Sequence, residues 1–256
     1  MLHVWCADSL AGPMEGLKAH FEAGNRGVRV MLTPGRSKEL AERLLRGEAC
    51  DVFAPSDPQV VKALFGKAVG GRQAACWYIA FSANELVIVT EKGNPYRIKK
   101  AGDLVKKGIR LARVAGEKDM AADRTIEFIA RATRAEGHPE LLRPIVDGAL
   151  KENTIPDVLA ALKKGKANAA IVYRSAAVTL GNGAEMVTFP AEVNLSEEIR
   201  NVVTIPGTAG NVAAACDFIK GMLSPEGRRI LETAGQPPLV PSIPEGEPHF
   251  EIPALH

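Results

Sequence analysis

The sequence predicts an α/β protein of two lobes, each a mainly parallel sheet flanked by helices. Three observations predict it. Strand and helix signals alternate from the start, in the order β-α-β-α-β. A long apolar segment, CWYIAFSANELVIVT, is then broken by the polar step SAN and suits a crossing from one lobe to the other. Beyond it the alternation resumes, and later strands and helices return the chain to the first lobe. A β-α-β order is the mark of parallel strands joined by crossover helices.

In order, LHVWCA reads as a short buried strand. SLAGPMEGLKAHFEAG follows as a helix with Leu10, Met14, Leu17 and Phe21 on one face and Gly24 as its stop. VRVMLT is the second strand and PGRS a turn. SKELAERLLRGE is a helix striped by Leu40, Leu44 and Leu45, and CDVFAPS is the third strand. After the crossing come a turn at NPYR, a short amphipathic helix over Ala101–Lys107 and a strand over Ile109–Val114. DRTIEFIARATRAEG is a helix ending at Gly137. IPDVLAALKKG is another, and leads into the strand AAIVY. VTFPAEV and RNVVTIP read as later strands, and NVAAACDFIKGML as a helix. SPEGRRILETAG has the marks of a capped helix: Ser224 at the N-cap, Pro225 in the first turn, an early Glu226 and Gly235 at the end. The proline-rich tail GQPPLVPSIPEGEPHFEIPALH reads as an extended strap or a mobile end.

Composition narrows the function. A chain of 256 residues with 46% hydrophobic and 24% charged residues matches neither a disordered nor a membrane protein. The net charge of +2 sets up no field for nucleic acid, and 5% aromatics leave few rings to stack bases. No run of 18 apolar residues occurs. MLHVWCADSL enters a strand directly, without a basic segment and an apolar core. Either the protein is cytoplasmic or a signal has been removed ahead of it. The cysteines, Cys6, Cys50, Cys76 and Cys216, form no CxxC pair; they read as buried free thiols, with a disulfide left open.

In an open α/β sheet, ligands gather outside the C-terminal strand ends, beside helix N-termini. Asp8-Ser9 follows the first strand, and Ser37 follows the second through TPGRS. Each serine either caps its helix or joins the free N–H groups there in holding an anion, with Gly35 easing close approach. GEKDMAADRT and KENTIPDV stand at two further helix starts, the latter with Asn153 or Thr154 as the cap. Tyr173 ends AAIVY, either as a half-buried strand tyrosine or as a phenolic donor.

These residues carry a resemblance. ADSL, GRSKELAERLLRGEACDVFAPSD, NELVIVTEKGNP, ALKKGKANAAIVYRSAA and FIKGMLSPEGRRIL resemble, in order, segments of the periplasmic molybdate/tungstate-binding proteins of ABC transporters. CWYIAFSANELVIV and FPAEVNLS lean toward the archaeal-type group. The resemblance implies a type II periplasmic-binding-protein-like fold, with lobe I at 1–83 plus 195–256, lobe II at 84–194 and a ligand cleft between them. It implies no catalysis and no cofactor. The expected ligand is molybdate or tungstate, less so sulfate, captured by hinge closure and passed to an ABC transporter permease. The protein would be periplasmic or extracellular-facing, a monomer, and touch the membrane only through the permease. Ser9 and Ser37 match the two anion-binding serines and Tyr173 the binding tyrosine. Backbone N–H groups near Met120 and Thr154 would complete the cage. Asp119 falls where the archaeal-type proteins place a carboxylate on the metal, and Val172 where their second acidic residue stands.

A lone carboxylate near a dianion repels it by about 4 kcal/mol per unit-charge pair at 4 Å and an effective dielectric of 20. Asp119 therefore belongs there only if it bonds the metal or is paired, for instance with Arg124. Asp8 and Arg36 replace small residues beside the serines. They either bridge each other, or Arg36 contacts the ligand and favours a sulfate- or carboxylate-bearing one. A rival use of the fold is a sensor domain that binds a small organic anion for regulation. The five histidines are scattered, Asp51 and Asp57 suit turns and caps, and no HExxH, GxSxG or P-loop occurs.

Overall fold

The computed structural model describes residues 1–116 and 120–247, and the chain divides into two compact units. Unit 1 is Met1–Ala83 with Ile199–His256; unit 2 is Asn84–Glu198, which runs past the residue 194 expected as its end.

Unit 1 opens with β1 (Leu2–Ala7), a 3₁₀ turn (Asp8–Leu10), α1 (Ala11–Gly24), β2 (Val30–Gly35), α2 (Ser37–Leu45) and β3 (Val52–Ala54). Then come α3 (Pro58–Lys62), the small hairpin β4 (Ala68–Val69) and β5 (Arg72–Gln73), and β6 (Trp77–Ala83). Unit 2 holds β7 (Leu86–Glu91), a 3₁₀ turn (Ala101–Val105), β8 (Leu111–Val114), α4 (Met120–Ala135), α5 (Leu142–Gly148) and β9 (Leu150–Glu152). It continues with α6 (Ile155–Lys163), β10 (Ala169–Tyr173), α7 (Arg174–Ala177), β11 (Ala184–Val187) and α8 (Ala191–Asn194). Back in unit 1 are β12 (Arg200–Val203), α9 (Val212–Leu223), α10 (Pro225–Thr233) and β13 (Pro238–Gly246).

In unit 1, β1 is the middle of a parallel sheet ordered β2-β1-β3. Successive side chains of a strand point to opposite faces, and β1 uses both. Val4 and Cys6 join a core with Met14, Leu17, Phe21 and the α9 residues Phe218 and Met222. Trp5 joins the opposite core with Leu40, Leu44, Phe53 and Tyr78. Phe21 meets Phe218 edge-on at 5.4 Å, an arrangement that adds about 1 kcal/mol to simple burial. A second sheet, β12-β6-β13, is antiparallel because β12 and β13 both run against β6. An isolated antiparallel bridge, Phe53 to Thr204, links the strand region of β3 to the chain just past β12.

Of the tail, Pro238–Gly246 forms the edge strand β13, the extended strap of the two readings, and residues 248–256 lie outside the described ones. The prolines of β13 are tolerated because an edge strand leaves half its N–H groups unneeded, and the register slips between Pro238 and Ile243. Glu245 bonds Tyr78 and pairs with Lys62 at 2.8 Å, fixing β13 down. Helix α10 is capped as expected, Ser224 Oγ accepting from Gly227 N at 3.1 Å, and β13 follows it.

Unit 2 is one mixed sheet ordered β11-β7-β10-β8-β9. β8, β9 and β10 are parallel; β7 and β11 run antiparallel to their neighbours. Val87, Val114, Val158, Leu162 and Val172 share its core. Phe128 of α4 meets Phe189 edge-on at 5.0 Å. FPAEV is not a strand: β11 ends at Val187 and a one-turn helix starts after Pro190, which has no N–H to give a ladder. The sequence reading also missed α5, whose pattern is interrupted by Pro144, and the short β9.

Candidate functional site

Register places the candidate residues. In unit 1, Ala7 is the partner of Gly35 and Cys6 of Ala54, so β1, β2 and β3 end on one edge of the sheet. Ser9 follows two residues beyond Ala7, and Ser37 two residues beyond Gly35. Helices α1 and α2 begin on that edge, and the first turn of a helix leaves N–H groups with no intrahelical acceptor.

The serines do not serve as caps. Ser9 lies inside the 3₁₀ turn, exposed, and the N-cap of α1 is Leu10 without a side-chain bond. Ser37 is the first residue of α2, whose N-cap is Arg36, again without a side-chain bond. The Ser37 hydroxyl accepts instead from Ser56 N at 3.3 Å, tying the loop after β2 to the loop after β3 and leaving its proton to donate elsewhere. Ser56 was not singled out from the sequence. Side-chain caps form elsewhere, among them Asp57, accepting from Gln59 N, and Thr154, which accepts from Asp157 N at 3.2 Å and donates to Asp157 Oδ2 at 2.7 Å. Gly35 serves close packing within the protein: a Cβ there would lie 3.1 Å from Leu40 Cδ2.

The Asp8–Arg36 bridge does not form. Arg36 is exposed and reaches Glu39 at 3.4 Å, one helical turn along, which is the shorter span for its side chain. Asp51 takes a structural part, accepting from His3 N, Gly210 N and Asn211 N. All four cysteines are free thiols, and burial, with Asp8 and Glu15 adding to it, pushes the Cys6 thiol up to about 12.

Unit 2 repeats the arrangement. Val114 pairs with Glu152 and Ala170 with Ala112, so β8, β9 and β10 also end on one edge. Met120 at the start of α4, Thr154 at the cap of α6 and Tyr173 at the end of β10 all fall on it. Thr154 spends its hydroxyl on its own helix, so only its backbone N–H can be offered outward. Tyr173 is half-buried, and Arg124 Nη1 lies 3.5 Å from its hydroxyl. Arg124 is the residue offered from the sequence as one partner for Asp119. Asp119 lies outside the described residues. Val172, next to the end of β10, is fully buried in the unit 2 core and supplies no carboxylate. Among the described residues no cluster of three or more His, Cys, Asp or Glu could hold a metal ion.

Each edge thus gathers hydroxyl and amide donors, a set that suits an anion. The family model for bacterial extracellular solute-binding proteins matches residues 2–236. The chain belongs to that family. Like its other members, this solute-binding protein is built to hold a solute. It is 28% identical over 232 residues to the molybdate-binding protein ModA of Mycobacterium tuberculosis, covering 91% of this chain and 82% of that one. Among solved structures, a Clostridium difficile chain described as the substrate-binding domain of a molybdenum ABC transporter aligns with a TM-score of 0.76 at 20% identity, covering 93% of this chain and 98% of that one. The periplasmic molybdate-binding protein of Azotobacter vinelandii aligns at 0.68 and 18%, covering 92% and 98%. These alignments establish the fold, a two-unit α/β architecture of the type II periplasmic binding proteins.

Proposed function

We propose that this solute-binding protein captures a tetrahedral oxyanion, molybdate or tungstate first and sulfate next, outside the cell membrane. The observation that carries the reading is the matched placement of Ser9 and Ser37 beyond the Ala7–Gly35 register pair, with hydroxyls released from helix capping. Relatives named as molybdate-binding support the choice of anion. Hydroxyl and amide dipoles replace the ion's hydration shell, and selectivity follows from the number of donors and the size of the ring they form. Capture proceeds by hinge movement at the two chain crossings, Ala83–Asn84 and Glu198–Ile199, and the loaded protein docks on an ABC transporter permease as a monomer. No catalytic step and no resident cofactor enter this reading. Asp119 bonds the metal only if the ion expands its coordination, and Val172 provides no second carboxylate for that. Calorimetric titration with molybdate, tungstate, sulfate and phosphate tests the proposal; absence of heat with all four refutes it.

A second reading rests on Arg124. A full positive charge beside the Tyr173 hydroxyl suits a carboxylate- or phosphate-bearing organic anion, as a transport cargo or as the signal of a sensor domain. Including a three-carbon phosphorylated acid in the titration separates the two.

A further inference from the structure

Two polar chains of hydrogen bonds lead from the chain crossings to the anion-contacting residues, one in each unit; that of unit 1 is buried, and that of unit 2 is buried at Asn84, Glu85 and Asn194 and half-buried at Arg174 and Ser175. In unit 1, Asn201 of β12, just past the return crossing, donates from Nδ2 to Ser82 Oγ and to Gln236 Oε1, both at 2.8 Å. Ser82 stands next to the outgoing crossing, on β6. Gln236 passes the bond on: its Nε2 donates to the Ser9 carbonyl at 3.0 Å. Ser82, Asn201 and Gln236 are all 0–1% exposed.

In unit 2, Asn84 and Glu85 are the first residues after the outgoing crossing. Glu85 Oε1 accepts from Arg174 Nη1 at 2.9 Å, its Oε2 accepts from Asn194 Nδ2, and its carbonyl accepts from Arg174 N at 2.8 Å. Asn84 Nδ2 donates to Ser175 Oγ at 2.8 Å. Arg174 and Ser175 directly follow Tyr173 and open the four-residue helix α7, which continues into a 3₁₀ turn over Val178–Gly183. This frame holds the chain that leaves Tyr173, whose own place is set by its pairing with Leu86 and its packing on the unit 2 core, and Asn194 brings in the chain shortly before the return crossing.

Buried groups satisfied in this way fix one arrangement and resist intermediate ones. We infer that Gln236 and Glu85 are positioning residues, each tying one anion-contacting residue (Ser9 and Tyr173 respectively) to the crossings, so that hinge movement and anion contact are coupled within each unit separately. The inference rests on the oxyanion reading above.

The test is a pair of double-mutant cycles read as molybdate affinity by calorimetry, with thermal unfolding of the anion-free protein alongside. The variants are Gln236→Met, Glu85→Gln, Ser9→Ala and Tyr173→Phe. Each alone is expected to weaken binding about tenfold. Gln236→Met combined with Ser9→Ala should weaken it little beyond tenfold, and so should Glu85→Gln with Tyr173→Phe. The crossed pairs, Gln236→Met with Tyr173→Phe and Glu85→Gln with Ser9→Ala, should multiply to about a hundredfold. A general loss of stability would multiply in all four pairs, and that result overturns the inference. Where Glu85→Gln or Gln236→Met yields no folded protein, Asn84→Ala and Ser82→Ala break the same chains at a neutral link and must show the same pattern. If the unaltered protein takes up none of the four oxyanions, the oxyanion reading fails first, before any variant is measured.

Discussion

Ser9 and Ser37 stand at matching positions, each two residues past one member of the Ala7–Gly35 pair, where the parallel strands β1 and β2 end. Parallel strands carry their C-termini to one edge, so the two hydroxyls share that edge whatever the helices behind them do. Neither hydroxyl is committed to a helix cap, which separates binding from helix stability at Ser9, while Ser37 also holds the loop at Ser56.

Ser9→Ala and Ser37→Ala should each weaken molybdate binding about tenfold or more, since a hydrogen bond to a charged group contributes about 1.5–3 kcal/mol. The melting temperature of Ser9→Ala should stay close to that of the unaltered protein, whereas that of Ser37→Ala should fall somewhat, because the change also removes the acceptor of Ser56 N. A cap lost to alanine would instead cost about 1 kcal/mol of stability. Calorimetry and thermal denaturation on the same samples check both halves; a fall in stability with no change in affinity would show that they are scaffold residues.

Arg124→Gln should reduce affinity for dianions about tenfold while keeping a donor near the Tyr173 hydroxyl. The unaltered protein should lose affinity as salt is raised, and the variant should lose less. Titrations at two ionic strengths measure this. Equal salt sensitivity in both proteins would mean that the guanidinium does not meet the anion.

Gly227→Ala should be among the most damaging single substitutions in unit 1. A Cβ there would run into the carbonyl oxygens of Gly221 and Met222, which are backbone and cannot swing aside. Overpacking of this kind costs about 1–3 kcal/mol, against about 1 kcal/mol for Ser224→Ala, which removes only the cap. Urea denaturation of the two variants should rank them in that order.

Asp103→Asn should lower stability at neutral pH by about 1 kcal/mol. Burial of Asp103 by itself raises its pKa, but bonds from Lys106 and from the N–H groups of Lys99 and Lys100 outweigh that and hold the carboxyl below its ordinary value. A depressed folded value means that the contribution is fully present above the ordinary carboxylate range and fades as pH falls through the folded value. The gap between the two proteins should therefore narrow below about pH 4. Chemical denaturation at pH 7 and pH 3 gives the comparison.

Much of the fold was legible because burial writes a period into the chain. The stripe of Met14, Leu17 and Phe21 marked a helix face, and the short apolar run LHVWCA marked a buried strand. The elements missed were those whose pattern is short or interrupted, such as α5 with its internal Pro144 and the three-residue β9. At the site, strand ends and helix starts marked Ser9, Ser37, Thr154 and Tyr173, and sheet register then put them on shared edges. Their supporting partners could not be read. Gln236 meets Ser9 across 227 positions of sequence, and Asn201 meets Ser82 across 119. The polar SAN within an apolar run was visible as a break, but only the folded chain shows whom Ser82 and Asn84 bond.

Unit 2 is one unbroken stretch, Asn84–Glu198, whereas unit 1 is assembled from segments on either side of it. During synthesis, unit 2 can complete its sheet before β12, α9, α10 and β13 exist, while β6 waits with both of its lateral partners unmade. The outgoing strand is thus left exposed longest, and its seven buried residues are the stretch that most needs shielding until the last strand arrives. A gene fragment spanning unit 2 alone should yield an independently folding module, and one covering the N-terminal segment of unit 1 alone should not.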